Sequence, residues 1–226
     1  MNTETHEKIK EIKKSLRLSM NGIVSAHQRR QGLNYKINFG VEIPRLKELA
    51  SRQEKSTLLA QSLWQDNIRE CKLLAIFLYP AEEFDPATAE KWIAECEFTE
   101  TADHLSRTLL ATLPEAPKAS LRWATDENEM FRYCGYSTLS NLFTKKAVLS
   151  ADEEKAYFAA LKNTLHSPGT SSKPTQNAAT ISLIKFADGN NEQRTRVCEE
   201  IKSWEIESGS ALHNLVENLL EEGTSE

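Results

Sequence analysis

The sequence predicts an all-α protein built as an array of antiparallel helix pairs. Three observations predict it. Apolar residues recur with the helical period of about 3.6 along the chain, and no stretch shows the two-residue alternation of a half-buried strand. Glycine (8) and proline (7) are sparse in 226 residues and fall largely between the helical stretches. The stretches come in twos with short connections, and equivalent second helices recur about every 30–50 residues. Such pairs stack into a solenoid; a compact all-α bundle is the alternative arrangement.

Taken in order, the predicted helices cover residues 4–30, 43–53, 55–64, 67–79, 86–96, 99–113, 117–124, 126–144, 150–166, 173–188, 191–204 and 209–221. Leu58–Trp64 precedes Ile68–Leu78, and Ala87–Ile93 precedes Ala102–Leu113. Ala119–Trp123 then precedes Phe131–Phe143, and Tyr157–Leu165 precedes Ala178–Phe186. Asp85-Pro86 reads as an N-cap followed by proline at the first helical position. Asp126 with Glu129 and Ser150 with Glu153 have the spacing of capping boxes. Ser167 to Pro174 is a loop by composition. The expected organisation is one helical-repeat domain over 1–226, with a basic helical cap at 1–40 and an acidic C-terminal helix and tail at 209–226.

Hydrophobic residues make up 39% and charged residues 27% of the chain, and no apolar run is long enough for a membrane span. Residues 1–7 are polar and acidic, without the apolar core of a signal peptide, so a cytoplasmic location is expected. Cys71, Cys96, Cys134 and Cys198 are widely spaced with no CxxC pair, which points to reduced structural cysteines and not to a zinc site. The net charge of −5 is unevenly spread. Residues 1–55 hold twelve Lys/Arg and six acids, about +6, leaving about −11 for the rest. A basic end on an acidic protein suits contact with phosphates. Charge alone favours the plainer reading, a solvated helix face with pairs one turn apart, such as Glu4–Lys8 and Glu7–Lys10.

No phosphate-cradling glycine loop, nucleophile elbow or HExxH pair is present. The five histidines are scattered, and His104 reads as a surface or hydrogen-bonded residue. Arg132 stands out because it shares a helical face with Gly135, Tyr136, Leu139 and Phe143. A guanidinium keeps its charge, so it requires a carboxylate, a run of carbonyls, or a wet groove facing an anion. Asp103 is the second candidate. It has the spacing to pair with Arg107 at i+4. If 99–113 and 126–144 are second helices of adjacent repeats, Asp103 and Arg132 would share one concave face. The arginine could then hold a phosphate, and the carboxylate could stabilise a developing cation or orient a water. A structural salt bridge between the helices is the other reading.

Several segments, in order, resemble the bacterial AlkD-type alkylpurine DNA glycosylases, HEAT-like-repeat proteins of DNA alkylation repair. They are Phe39-Gly40-Val41-Glu42-Ile43-Pro44, Leu63-Trp64 with Ile68-Arg69-Glu70, Phe98 to Asp103, Trp123 through Arg132, and Gln176 to Leu183. Together they span about residues 30–205. The resemblance implies a HEAT-like right-handed solenoid and double-stranded, alkylated or distorted DNA as the partner. It implies neither metal nor organic cofactor. Asp103 would be the carboxylate that stabilises the sugar cation as an N-alkylated purine departs, and Arg132 the arginine on the phosphate. The basic N-terminal helices, with Arg29, Arg30 and Lys36, would extend the backbone contact. The sequence departs from the family at its aromatics. Thr99 and Ile181 stand where the family carries active-site tryptophans, Phe98 is beside the first, and Gln31 replaces a tyrosine, with Tyr35 about one turn away. Two readings follow. One is hydrolysis of the N-glycosidic bond of cationic alkylpurines. The other is a non-catalytic relative, expected as a monomer, that binds DNA or a protein.

Overall fold

A computed structural model describes residues 3–166 and 171–204, together with Asn214 and Glu217. The predicted helix 209–221 and the acidic tail lie outside the described residues. Among the described residues the chain forms twelve α-helices and two short 3-10 turns, with one isolated bridge between Ile37 and Ile68. It divides into two compact units, Met1–Lys91 and Trp92–Glu226.

The first unit contains α1 (Thr3–Leu18), α2 (Gly22–Arg30), α3 (Ile43–Ser51), α4 (Thr57–Trp64) and α5 (Arg69–Leu78). The single helix expected over 4–30 is two helices. Asn21 ends it, because its side chain accepts from the backbone N–H groups of Ile23 and Val24 at 3.1 and 3.2 Å and so caps α2. α1 buries Thr5, Ile9, Ile12 and Leu16, a stripe at helical spacing, and packs on α4. α5 packs against α3 and α4 and is buried almost all round.

Burial on α5 includes a charged pair. Arg69 and Glu70 are 1% and 0% exposed. Arg69 Nη1 donates to the Val41 carbonyl at 2.9 Å and to Glu70 at 3.2 Å. Glu70 in turn accepts from the backbone N–H groups of Phe39 (3.1 Å) and Val41 (3.2 Å). Two buried charges are tolerable only when paired and hydrogen-bonded. Here the partners are the backbone of the 39–41 segment, so Arg69 and Glu70 clamp that loop onto α5. Gly40 sits inside the clamp at φ +72°, and a Cβ there would lie 2.1 Å from the Asn21 carbonyl oxygen. The two sequence segments that carry the resemblance at this end, Phe39–Pro44 and Ile68–Glu70, are therefore two halves of one structural contact.

α6 (Pro86–Ala94) begins as expected: Asp85 accepts from the Thr88 N–H at 2.8 Å. The second unit then holds α7 (Thr99–Thr108), α8 (Ala116–Ala124), α9 (Glu129–Thr144), α10 (Ala151–Leu165), α11 (Lys173–Ala187) and α12 (Asn191–Lys202). α9 is central and touches α7, α8 and α11, while α8 also touches α10, and α10 touches α11. The predicted partners in this unit, α8 with α9 and α10 with α11, do pack together. So do α4 and α5 in the first unit. Second helices α7, α9 and α11 lie side by side, which is the neighbour order of stacked helix pairs.

The core of this unit is aromatic. Phe143, Tyr157 and Phe158 surround Phe186 with ring centroids 5.2–5.6 Å away. Each buried phenol finds a hydroxyl: Tyr157 meets Ser182 at 2.9 Å and Tyr136 meets Thr164 at 2.7 Å. The Ser150–Glu153 capping box is present at α10. The box expected at Asp126 is displaced: Asn128 is the cap of α9, accepting from Met130 N–H at 2.9 Å, and Asp126 braces Asn128. All four cysteines are buried. Burial pushes the Cys71 thiol up to about 12 and that of Cys134 well up, which suits structural residues and not nucleophiles.

Candidate nucleic-acid interface

Three neighbouring helices enclose a cavity of about 680 Å³ in the second unit, and two of them line it with polar residues one turn apart. α7 contributes Asp103 and Arg107, and α9 contributes Tyr133, Ser137 and Asn141 at i, i+4, i+8. α11 closes the third side with Asn177, Ala178 and Ile181. The opposite faces of the same helices hold the core, including Tyr136, Leu139 and Phe143 on α9 and Leu183 and Phe186 on α11.

Asp103 is the best-positioned group in the cavity. Its Oδ1 accepts from the Tyr133 phenol at 2.9 Å and from the Ser137 hydroxyl at 3.1 Å. Among the described residues nothing bonds Oδ2. Tyr133 holds its proton firmly: burial raises its pKa most, and the neighbouring Asp103 charge raises it further, against a smaller opposing hydrogen bond from Thr99. The phenol is therefore a permanent donor to Asp103 at any ordinary pH. Arg107 is exposed and, among the described residues, has neither an ion-pair nor a hydrogen-bond partner. The Asp103–Arg107 pair that i+4 spacing allows does not form, and Asp103 bonds across to α9 instead.

Arg132 is placed elsewhere. It is not among the residues that line the cavity with Asp103. Its Nη1 donates to the carbonyls of Asp126 (2.8 Å) and Glu127 (3.0 Å), and its Nη2 to the Glu129 carboxylate. Glu129 also accepts from the Ser172 N–H at 2.8 Å. Arg132 thus closes a clamp between the start of α9 and the start of α11. Of the three environments open to it from sequence, the structure supplies two at once, carbonyls and a carboxylate.

The Glu129 carboxyl carries a titration signature. Burial raises its pKa, but hydrogen bonds from Ser172 and Thr175 and the Arg132 contact outweigh it and hold the value at about 2. A carboxyl depressed in the folded state contributes stability above its unfolded pKa and loses it as pH falls through the folded one. Glu129→Gln is therefore expected to lower the urea midpoint at pH 7, with the gap from wild type narrowing between pH 4.5 and pH 2. A gap that stays constant over that window would remove the clamp's electrostatic role.

The remaining candidates are distributed as follows. Ile181 lines the cavity and is 51% exposed. Thr99 stands against Tyr133, so both positions where the family has tryptophan border this site. Tyr35 is buried, so it does not replace the missing tyrosine of the family. Arg29, Arg30 and Lys36 are exposed on the first unit, with no ion pair among the described residues. Tyr133, Ser137 and Arg107 line the cavity with Asp103 and were not among the candidates read from the sequence. Arg107 had a signal in its i+4 relation to Asp103; Tyr133 and Ser137 had none, since their contacts with Asp103 span 30 and 34 residues. No group of three or more His, Cys, Asp or Glu able to hold a metal occurs among the described residues. No helix among them is long and apolar enough to cross a membrane.

Helix pairs with side-by-side second helices and a polar site upon them define a HEAT-like-repeat protein, and a solved structure agrees. It is described as "a new family of proteins related to the HEAT-like repeat DNA glycosylases with affinity for branched DNA structures". The match has a TM-score of 0.78 at 17% identity, covering 95% of this chain and 94% of the other. The family model for "DNA alkylation repair enzyme" matches residues 12–190, so the chain belongs to the DNA alkylation repair family. No curated protein matches the chain.

Proposed function

We propose that this protein binds DNA through the cavity on α7, α9 and α11, and that branched or distorted DNA is its preferred form. The observation that carries this is the polar wall formed by residues one turn apart on α7 and α9, which includes the unpartnered cation Arg107. A cation with no internal partner can neutralise a phosphate without first breaking an ion pair. Arg29, Arg30 and Lys36 supply further phosphate contacts on the first unit. The preference for branched DNA is carried over from the description of the similar structure.

The test is fluorescence anisotropy with a four-way junction and a linear duplex at two salt concentrations. Arg107→Glu should weaken binding by about tenfold and reduce the salt slope by about one. Equal binding by wild type and variant would remove Arg107 and the cavity from the interface.

A second reading, alkylpurine release, is favoured by the geometry of Asp103. A carboxylate fixed by two hydroxyls, with one oxygen left over, is pre-organised to stabilise a sugar cation. A cationic leaving base needs no strong general acid. Against it, Thr99 and Ile181 offer no π-face, a contribution of about 0.5–2 kcal/mol per cation contact. Release of 7-methylguanine from methylated DNA, lost in Asp103→Asn, would establish this reading. No release above background, identical in both proteins, would leave DNA binding alone.

A further inference from the structure

The turn between α1 and α2 exposes large apolar side chains where a fold has no use for them. Leu18, Met20 and Ile23 are 81%, 63% and 82% exposed, all within six consecutive residues. They belong to a stretch of unusual charge. Between Glu11 and Glu42 the chain carries Lys13, Lys14, Arg17, Arg29, Arg30 and Lys36 and not one acid. Lys13 is paired with Asp66 at 2.9 Å, while Lys14, Arg17, Arg29, Arg30 and Lys36 are exposed. On α1, Lys10, Lys14, Arg17 and Leu18 fall within an arc of about 100°. Arg45, which bonds Ser19 in the turn at 3.5 Å and pairs with Glu48, adds another guanidinium.

We infer that Leu18, Met20 and Ile23 form an apolar wedge that inserts at unstacked base steps of branched DNA, steered there by the cations around it. This rests on the DNA-binding reading above and adds a second, physically different contact to it. Apolar side chains inserted between base steps must offset an unstacking cost of a few kcal/mol per step. At a branch point the stack is already interrupted, so that cost falls and the wedge favours junctions over linear duplex. Charge selects the partner: an apolar tip accompanied by the exposed Lys14, Arg17, Arg29, Arg30 and Lys36 fits a polyanion with hydrophobic faces, which is what unstacked bases on a phosphate backbone present. An anionic bilayer fits less well. A helix lying in a membrane interface needs a whole apolar face, and that of α1 (Ile9, Ile12, Leu16) is buried in the fold.

The test uses the full chain and a four-way junction with 2-aminopurine beside the branch point, with a linear duplex and phosphatidylserine vesicles in parallel. All three side chains are exposed, so L18S/M20S/I23S should fold as wild type, which circular dichroism checks. Wild type should brighten the 2-aminopurine. The triple variant should lose that signal and about tenfold in junction affinity, keeping linear-duplex affinity within about twofold. A variant that keeps both signal and junction affinity overturns the wedge and leaves DNA binding standing. Wild type that binds neither DNA at low salt overturns the DNA reading and the wedge with it. Vesicle binding lost in the variant, with junction binding unchanged, assigns the patch to a membrane and overturns the wedge.

Discussion

Glu70→Gln is expected to destabilise the protein by about 3–5 kcal/mol, measured by urea denaturation at neutral pH. The substitution keeps shape and removes one charge. Arg69 would stay buried at 1% exposure without its counter-charge. The glutamine amide would also bring N–H donors toward the backbone N–H groups of Phe39 and Val41, where only acceptors suffice. Domains are stable by about 5–15 kcal/mol, so this is a third or more of the total for many of them. A loss under about 1 kcal/mol would mean that water reaches the pair and that the 39–41 segment is held by other contacts.

Gly135→Ala is expected to be destabilising by about 1–3 kcal/mol, although propensity alone argues the other way. Alanine in a helix interior gains about 1 kcal/mol over glycine. At this position a Cβ would stand 2.6 Å from the Ala124 nitrogen and 2.7 Å from the Ser120 carbonyl oxygen. Both are backbone atoms of α8 and cannot turn aside as a side chain can. The helices must part, and α9 is the element on which α7, α8 and α11 all rest. A rise in melting temperature would show that the α8–α9 contact relaxes freely, and that the close approach is not needed.

Helix type and the pairing of α4 with α5, α8 with α9 and α10 with α11 were legible because they depend on local periodicity, which the chain carries almost throughout. The α1–α2 break was not, since Ser19 to Gly22 contains no proline and a single side-chain cap decides it. The start of α9 shows how such a slip reaches the site. A helix begun at Asp126 would bind the carbonyls of Asp126 and Glu127 within itself. Begun at Glu129, it leaves both to Arg132, which therefore closes a clamp. The family motif makes Asp103 legible as a candidate, but Arg132, expected beside it on one face, does not line the cavity. The true neighbours of Asp103 were not legible, because Tyr133 and Ser137 reach it only through the packing of α9 on α7.

Each of α7, α9 and α11 devotes one side to the core and another to the cavity. Tyr136, Leu139 and Phe143 answer to the packing of the unit, whereas Tyr133, Ser137 and Asn141 face the cavity, the first two holding Asp103 of α7. Cavity positions that bond no neighbouring helix, such as the 51%-exposed Ile181, can be exchanged with little effect on folding. A tryptophan-sized position can become Thr99 or Ile181 while the helix beneath stays where it was. Ligand preference can thus change at such positions without a change of architecture. This also makes the cavity a place where new specificity can be introduced by substitution without re-engineering the scaffold.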